Sequence, residues 1–217
     1  YIVFYNPTKK LNLEKLPKDK YKQSELWKYG ISGDLPIILV KIKDSNDAHV
    51  VKEVLKELEI DKPSIVGHSF GGRVAIVYAS RYETEKLVLL GAPCIRRPQK
   101  DSAKVKILKA LKKVPILKNF ESFAKKHIGS RDYRNASPVM REILVKTVNE
   151  DLSECAKKIK CPTLLIWGEN DTDAPIEDAR ELEKIMKDAA LITYENGTHY
   201  TYLEYLLPVT RVIDKFI

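Results

Sequence analysis

The stretch Ser64-Ile65-Val66-Gly67-His68-Ser69-Phe70-Gly71-Gly72-Arg73-Val74-Ala75-Ile76 decides how this chain is read. Ser64 to Val66 is a short β-prone run and Gly71 to Arg81 has helical spacing, so Gly67 to Gly71 forms a tight turn from strand to helix. A serine at the tip of such a turn takes strained dihedrals, and side chains at positions 67 and 71 would collide with the neighbouring strand and helix. The turn lifts Ser69 Oγ clear of the sheet. It also aims the Phe70 N–H, at the positive end of the helix, at the place where an oxyanion would form. Taken alone, a Gly-x-Ser-x-Gly pentapeptide is equally an ordinary glycine turn, so the rest of the chain has to decide.

On either side, strand-like and helix-like runs alternate, which is the pattern of an α/β protein with a mostly parallel, doubly wound sheet and helices on both faces. Upstream, Ile2 to Tyr5 and Leu35 to Ile42 read as strands and Lys20 to Tyr29 as a helix between them. Asn46 to Leu58 places Val50, Val51, Val54, Leu55 and Leu58 at helical spacing. Downstream, Lys86 to Leu90, Thr163 to Trp167 and Leu191 to Tyr194 read as strands in continuing parallel order. Pro175 to Met186 reads as a helix and Tyr202 to Ile217 as a single closing helix. Between Ser102 and about Asn149 the pattern turns helical and basic. The expected division is therefore an α/β core of residues 1–95 and 150–217, with 96–149 as a basic helical cap.

The chain has 217 residues, 44% hydrophobic and 31% charged, enough to bury one sizeable core and too apolar for disorder. Its longest apolar runs fall short of the roughly 18 residues a membrane span requires. Lys9, Lys10, Glu14 and Lys15 interrupt any signal-peptide core, so a cytoplasmic location is expected. Cys94, Cys155 and Cys161 are odd in number and lack CxxC spacing, which points to reduced thiols and neither a disulfide framework nor a zinc site. The formal charge of +8 is concentrated between Arg96 and Arg134, where thirteen Lys or Arg face only Asp101, Glu121 and Asp132. Aromatic residues do not alternate with these lysines as in single-strand binders, so no nucleic-acid partner is expected. Solvated lysines account for the run, and a small anionic substrate is the partner it would favour. Oligomeric state stays open.

Two more turns complete a set. Cys161-Pro162-Thr163-Leu164-Leu165-Ile166-Trp167-Gly168-Glu169-Asn170-Asp171 is a buried strand running into a turn that ends on a carboxylate, and Asn196-Gly197-Thr198-His199 presents an imidazole after the last strand. Their order is nucleophile, acid, base. With GHSFGG, PTLLIWGENDTDAP and NGTHYTYLE in place, the chain from about residue 44 to its end resembles the α/β-hydrolase superfamily. The likeness is to compact, cap-bearing bacterial serine hydrolases such as meta-cleavage product hydrolases, a menaquinone-pathway relative and small carboxylesterases. The resemblance implies Ser69 as nucleophile, Asp171 as the acid that orients the base and His199 as general acid/base, with no metal or organic cofactor. The chemistry agrees. Serine is a poor nucleophile until a base takes its proton, histidine titrates near neutrality, and a carboxylate fixes the imidazole tautomer. Asp173, two residues on, is a rival acid, although Asp171 fits the Gly-x-x-Asp turn better. His68 is expected to pack or hydrogen-bond away from the Ser69 tip, His49 and His127 to be exposed, Trp167 to lie in the core and Tyr200 to line a substrate pocket.

The likeness breaks down upstream. Relatives carry a His-Gly turn after an earlier strand, whose backbone gives the second oxyanion donor, and no such pair precedes Gly67. Asn6, in Tyr5-Asn6-Pro7, stands where that turn is expected and is the candidate donor beside Phe70. The usual Gly-x-Gly-x-Ser loop is also missing. Residues 20–55, above all Leu26-Trp27-Lys28-Tyr29-Gly30-Ile31-Ser32-Gly33-Asp34-Leu35-Pro36-Ile37-Ile38-Leu39-Val40, resemble instead a segment of glycoside phosphorylases and cyclic β-glucan synthases. A chimera follows as a possibility, in which foreign sequence supplies a strand and two helices to complete the sheet. The function expected is a serine hydrolase cleaving an ester-like or activated carbonyl bond of a small molecule, of the carboxylesterase or C–C bond hydrolase class. The alternative is a folded chimera or pseudo-enzyme that keeps the triad with little or no activity.

Overall fold

The computed structural model of the protein describes residues 2–5, 37–40, 48–57, 59–96 and 150–217. All of these except Arg96 and Glu150 belong to one compact unit, Tyr1–Ile95 with Asp151–Ile217. The helix expected over Lys20 to Tyr29 and nearly all of the cap expected over 96–149, His127 included, lie outside the described residues.

The unit is built on a six-stranded sheet with strand order β2-β1-β3-β4-β5-β6. Its strands are β1 (Ile2–Tyr5), β2 (Ile37–Val40), β3 (Ser64–His68), β4 (Leu87–Leu90), β5 (Thr163–Gly168) and β6 (Ala189–Tyr194). The four strands β3 to β6 are mutually parallel. Helices α1 (Ala48–Glu57), α2 (Phe70–Arg81) and α4 (Ile176–Ile185), a short α3 (Ser153–Ala156) and the closing α5 (Thr201–Glu204) and α6 (Leu206–Phe216) flank it. The mostly parallel α/β fold read from the sequence is therefore the fold observed.

One strand departs from the expected direction. β1 pairs antiparallel with both β2 and β3, with Ile2 opposite Gly67 and Tyr5 opposite Ser64. Apolar spacing marks a run as a strand but is the same read from either end, so it could not announce this reversal. The run ending at Val40 does join the sheet, as its edge strand.

Burial on both faces explains the near-continuous apolar runs of the central strands. Along β4 and β5 the side chains alternate. Leu87, Leu89, Leu165 and Trp167 enter a core with Leu55, Ile65, Ile76, Tyr78 and Leu182 of the flanking elements. Val88, Leu90, Leu164 and Ile166 enter a second core closed by Val209, with Val212, Ile213 and Phe216 packed against it from α6. The single closing helix read from the sequence is two. Tyr205 leaves helical dihedrals at φ −118° and ψ 43° between α5 and α6. Pro208 is the cause: it has no N–H for the carbonyl of Glu204, and it is tolerated only in the first turn of a new helix.

Candidate active site

Neighbouring parallel strands end at one rim of the sheet, where their loops meet, as is general for open α/β sheets. At β3 the chain turns through Ser69, whose φ of 54° and ψ of −120° are a conformation that side-chain-bearing residues rarely hold. It persists because the surroundings enforce it. Ser69 N–H donates to the Leu90 carbonyl at 3.0 Å, and α2 starts at once behind it. A Cβ on Gly67 would sit 2.7 Å from Gly72 Cα, and one on Gly72 would sit 2.4 Å from Ala92 Cβ, so strand, turn and helix approach this closely only with glycines there. Phe70 is the first helical residue, so its N–H has no acceptor within the helix and stays available beside Ser69.

The acid turn leaves β5. Trp167 is fully buried and its indole N–H donates to the Ala174 carbonyl at 2.8 Å, closing the loop across its base. Within the loop Asp171 Oδ1 accepts the backbone N–H groups of Asp173 at 2.9 Å and Ala174 at 2.8 Å. Oδ2 remains and faces His199 Nδ1 at 2.9 Å, with the Asp171 side chain wholly buried. Asp173 is exposed, and of the two carboxylates it is Asp171 that the fold brings against the imidazole.

His199 is presented by the turn after β6. Asn196 sits at φ 60°, Gly197 N–H donates to the Tyr194 carbonyl at 3.1 Å, and the acid turn is tied to this one by Asn170 N–H donating to the Gly197 carbonyl at 2.9 Å. His199 Nε2 lies 2.9 Å from Ser69 Oγ. Hydroxyl, imidazole and carboxylate thus form an unbroken hydrogen-bonded chain assembled from residues 69, 171 and 199.

His68 lies beside this chain but outside it. Its Nε2–H donates to the His199 main-chain carbonyl at 3.0 Å, and its ring packs 4.8 Å from that of His199 and 4.8 Å from that of Tyr202. Burial pulls its pKa down to about 4, so it is neutral near pH 7. Tyr200 is half-exposed, with its ring 5.6 Å from that of His199. His49, expected to be exposed, lies on the exposed face of α1.

The second-donor candidate fares differently. Asn6 lies outside the described residues, and Tyr5 before it pairs with Ser64, at the opposite end of β3 from Ser69. With β1 antiparallel, its last described residue, Tyr5, lies at the rim opposite Ser69. Gly91, read from the sequence only as a strand end, matters more than that reading allowed. It has φ +48°, and a Cβ there would stand 2.9 Å from Asp171 Oδ2 and 3.2 Å from His199 Nδ1. The glycine after a β-run was the available signal, but nothing local tied it to residues 80 and 108 positions away.

Residues 42–205 match the family described as serine aminopeptidase, S33. Among curated relatives, the AB hydrolase superfamily protein YisY of Bacillus subtilis (strain 168) is 26% identical over 196 residues, covering 76% of this chain and 70% of that protein. The 2-hydroxy-6-oxononadienedioate/2-hydroxy-6-oxononatrienedioate hydrolase 2 of Pseudomonas putida is 22% identical over 237 residues, covering 95% of this chain and 80% of its own length. That alignment necessarily enters the first fifty residues. Among solved structures, the esterase EaEST from Exiguobacterium antarcticum superposes with a TM-score of 0.59 at 21% identity, over 81% of this chain and 74% of that one, a likeness of fold. The family match spans most of the chain, including all three turns at the sheet rim, and on that ground the chain belongs to the serine aminopeptidase S33 family of α/β hydrolases.

Proposed function

We propose that the chain is a serine hydrolase in which His199 takes the proton of Ser69, Ser69 Oγ attacks the carbonyl carbon of an ester-like or activated carbonyl substrate, and Asp171 holds the imidazole in the required tautomer. As the bond from the carbonyl carbon to the leaving group breaks, His199 gives that proton to the departing group; water that His199 deprotonates in turn then attacks the acyl-enzyme, which releases the acid and returns the proton to Ser69 Oγ. The observation carrying this reading is the 2.9 Å and 2.9 Å contacts linking Ser69 Oγ, His199 and Asp171 Oδ2. Phe70 N–H is the proposed oxyanion donor, and Tyr200, half-exposed beside the imidazole, a substrate contact.

For substrate class, two facts favour a small molecule bearing a carboxylate. The P. putida relative is named for a diacid, and this chain carries a net charge of +8 with thirteen basic residues between Arg96 and Arg134. Carboxylate-bearing esters are expected to be hydrolysed faster than neutral ones at low salt, with the difference shrinking as ionic strength rises.

The test of the nucleophile is a serine-directed fluorophosphonate probe together with turnover of a short p-nitrophenyl ester. Wild type should be labelled and active and Ser69→Ala neither; equal labelling of the two proteins would sink the assignment. A second reading, a folded protein that keeps the triad with little turnover, is favoured by the reversed β1, which leaves Phe70 as the one identified donor among the described residues. Loss of one oxyanion donor costs on the order of 10²- to 10³-fold in rate. Probe labelling without measurable ester turnover is the outcome that would select this reading.

A further inference from the structure

We propose that His68 and Glu204 are positioning residues that latch the turn carrying His199 from two sides. The proposal rests on His199 serving as the base for Ser69.

The main chain around His199 is engaged almost completely. Thr198 N–H donates to Glu204 Oε2 at 2.8 Å, and the Thr198 hydroxyl donates to Glu204 Oε1 at 2.6 Å, so both oxygens of one carboxylate hold the residue before the base. The Thr198 carbonyl accepts Thr201 Oγ–H at 2.5 Å. On the other side, the His199 carbonyl accepts His68 Nε2–H at 3.0 Å, and the His68 ring packs against the rings of His199 and Tyr202, with centroids 4.8 Å from each. His68 directly precedes the nucleophile and Glu204 closes α5 just after the base. The latch therefore references His199 to the strand that carries Ser69 and to the helix that follows its own turn.

Chemistry favours this arrangement at each end. The bonds from Thr198 hold the Glu204 carboxyl below its ordinary range, which favours the anionic form that accepts both of them. Burial keeps His68 neutral, so its Nε2–H points at a carbonyl without placing a second positive charge against an imidazolium at His199. Because Glu204 and Thr198 are exposed, their bonds compete with water and add little to global stability. Their effect falls on where the imidazole sits, and a displacement of about 1 Å there can cost up to ~10²-fold in rate.

The experiment compares wild type, Glu204→Gln, Thr198→Val, His68→Phe and Ser69→Ala in the full chain, by p-nitrophenyl ester kinetics, thermal melting and the low-field NMR resonance of the His199 Nδ1 proton. Glu204→Gln should lower kcat about 10-fold with KM unchanged and the melting temperature nearly unmoved. It should also broaden the His199 proton and move the acid limb of kcat/KM to lower pH, because the imidazolium is held less well against Asp171. Thr198→Val should give a smaller loss of the same kind, and His68→Phe a loss in kcat accompanied by a lower melting temperature. If His68→Phe does not fold, the two exposed variants decide alone. Folded Glu204→Gln and Thr198→Val proteins with kcat within twofold of wild type and an unchanged proton resonance would overturn the latch, while an inert Ser69→Ala beside an active wild type would leave the catalytic reading standing. A wild type that neither hydrolyses ester nor takes the probe would bring down both.

Discussion

At the scale of single residues, the acid turn repays the closest look. Asp171 spends one oxygen on two backbone N–H groups and the other on the imidazole, so its carboxylate is oriented before any substrate arrives. Asn in its place would keep the shape but could present an N–H to Nδ1 and stabilise the wrong tautomer. Asp171→Asn is expected to lower kcat by on the order of 10³- to 10⁴-fold with little change in melting temperature, measured by ester kinetics and calorimetry. Gly91 makes the complementary case. A methyl group there would have to sit against both Oδ2 of Asp171 and Nδ1 of His199, at a φ that disfavours any side chain. Gly91→Ala is therefore expected to cost stability and about 10²-fold in kcat together, and a variant with wild-type rate would refute the crowding argument.

Among the elements, β5 has the most to hold. It pairs with β4 and β6, buries alternate side chains in both cores and ends at the acid turn. Leu165 is fully buried at its centre. Leu165→Ala is expected to destabilise the fold by roughly 2–5 kcal/mol, read from urea unfolding, while the surviving folded fraction keeps its turnover, because the site loops are held by their own hydrogen bonds. The spans of the parallel strands and of α1, α2 and α4 were legible within a residue or two, since apolar spacing and glycine or proline breaks are local signals. The short α3 was not read from the sequence, and two larger features were not legible either. The break at Tyr205 depends on a proline that a period-based reading simply absorbed into a helix, and the direction of β1 depends on pairing between residues far apart in sequence.

For the molecule as a whole, one partly buried imidazole contributes a pH dependence. His68 is neutral in the fold down to about pH 4, whereas in the unfolded chain it gains its proton near its ordinary value of 6.5. As pH falls from 6.5 toward 4 the unfolded state takes up the proton first, so stability declines across that window by up to about 3 kcal/mol. Urea midpoints measured between pH 7 and 4 should show the decline, and His68→Phe should lose that part of the slope. Burial likewise pushes the Cys94 thiol up to about 12 and leaves it no exposed surface, whereas Cys155 and Cys161 are only partly covered. Thiol reagents at pH 8 should reach Cys94 only when the protein unfolds, which makes its labelling rate a readout of global opening; modification of native Cys94 as fast as of Cys155 would contradict that burial.

The amino-acid sequence alone determined the mostly parallel α/β class, the strand-turn-helix around Ser69 and the identity of the acid and base candidates, because each of these is written in contiguous residues whose periodicity and turn chemistry are local. Only the tertiary structure decided which carboxylate meets the imidazole, that His68 and Glu204 hydrogen-bond to the turn of His199, that Gly91 must lack a side chain, and that β1 runs against its neighbours. Those are facts about atoms brought within 3 or 4 Å by folding from positions up to 131 residues apart, and no local pattern encodes a distance of that kind.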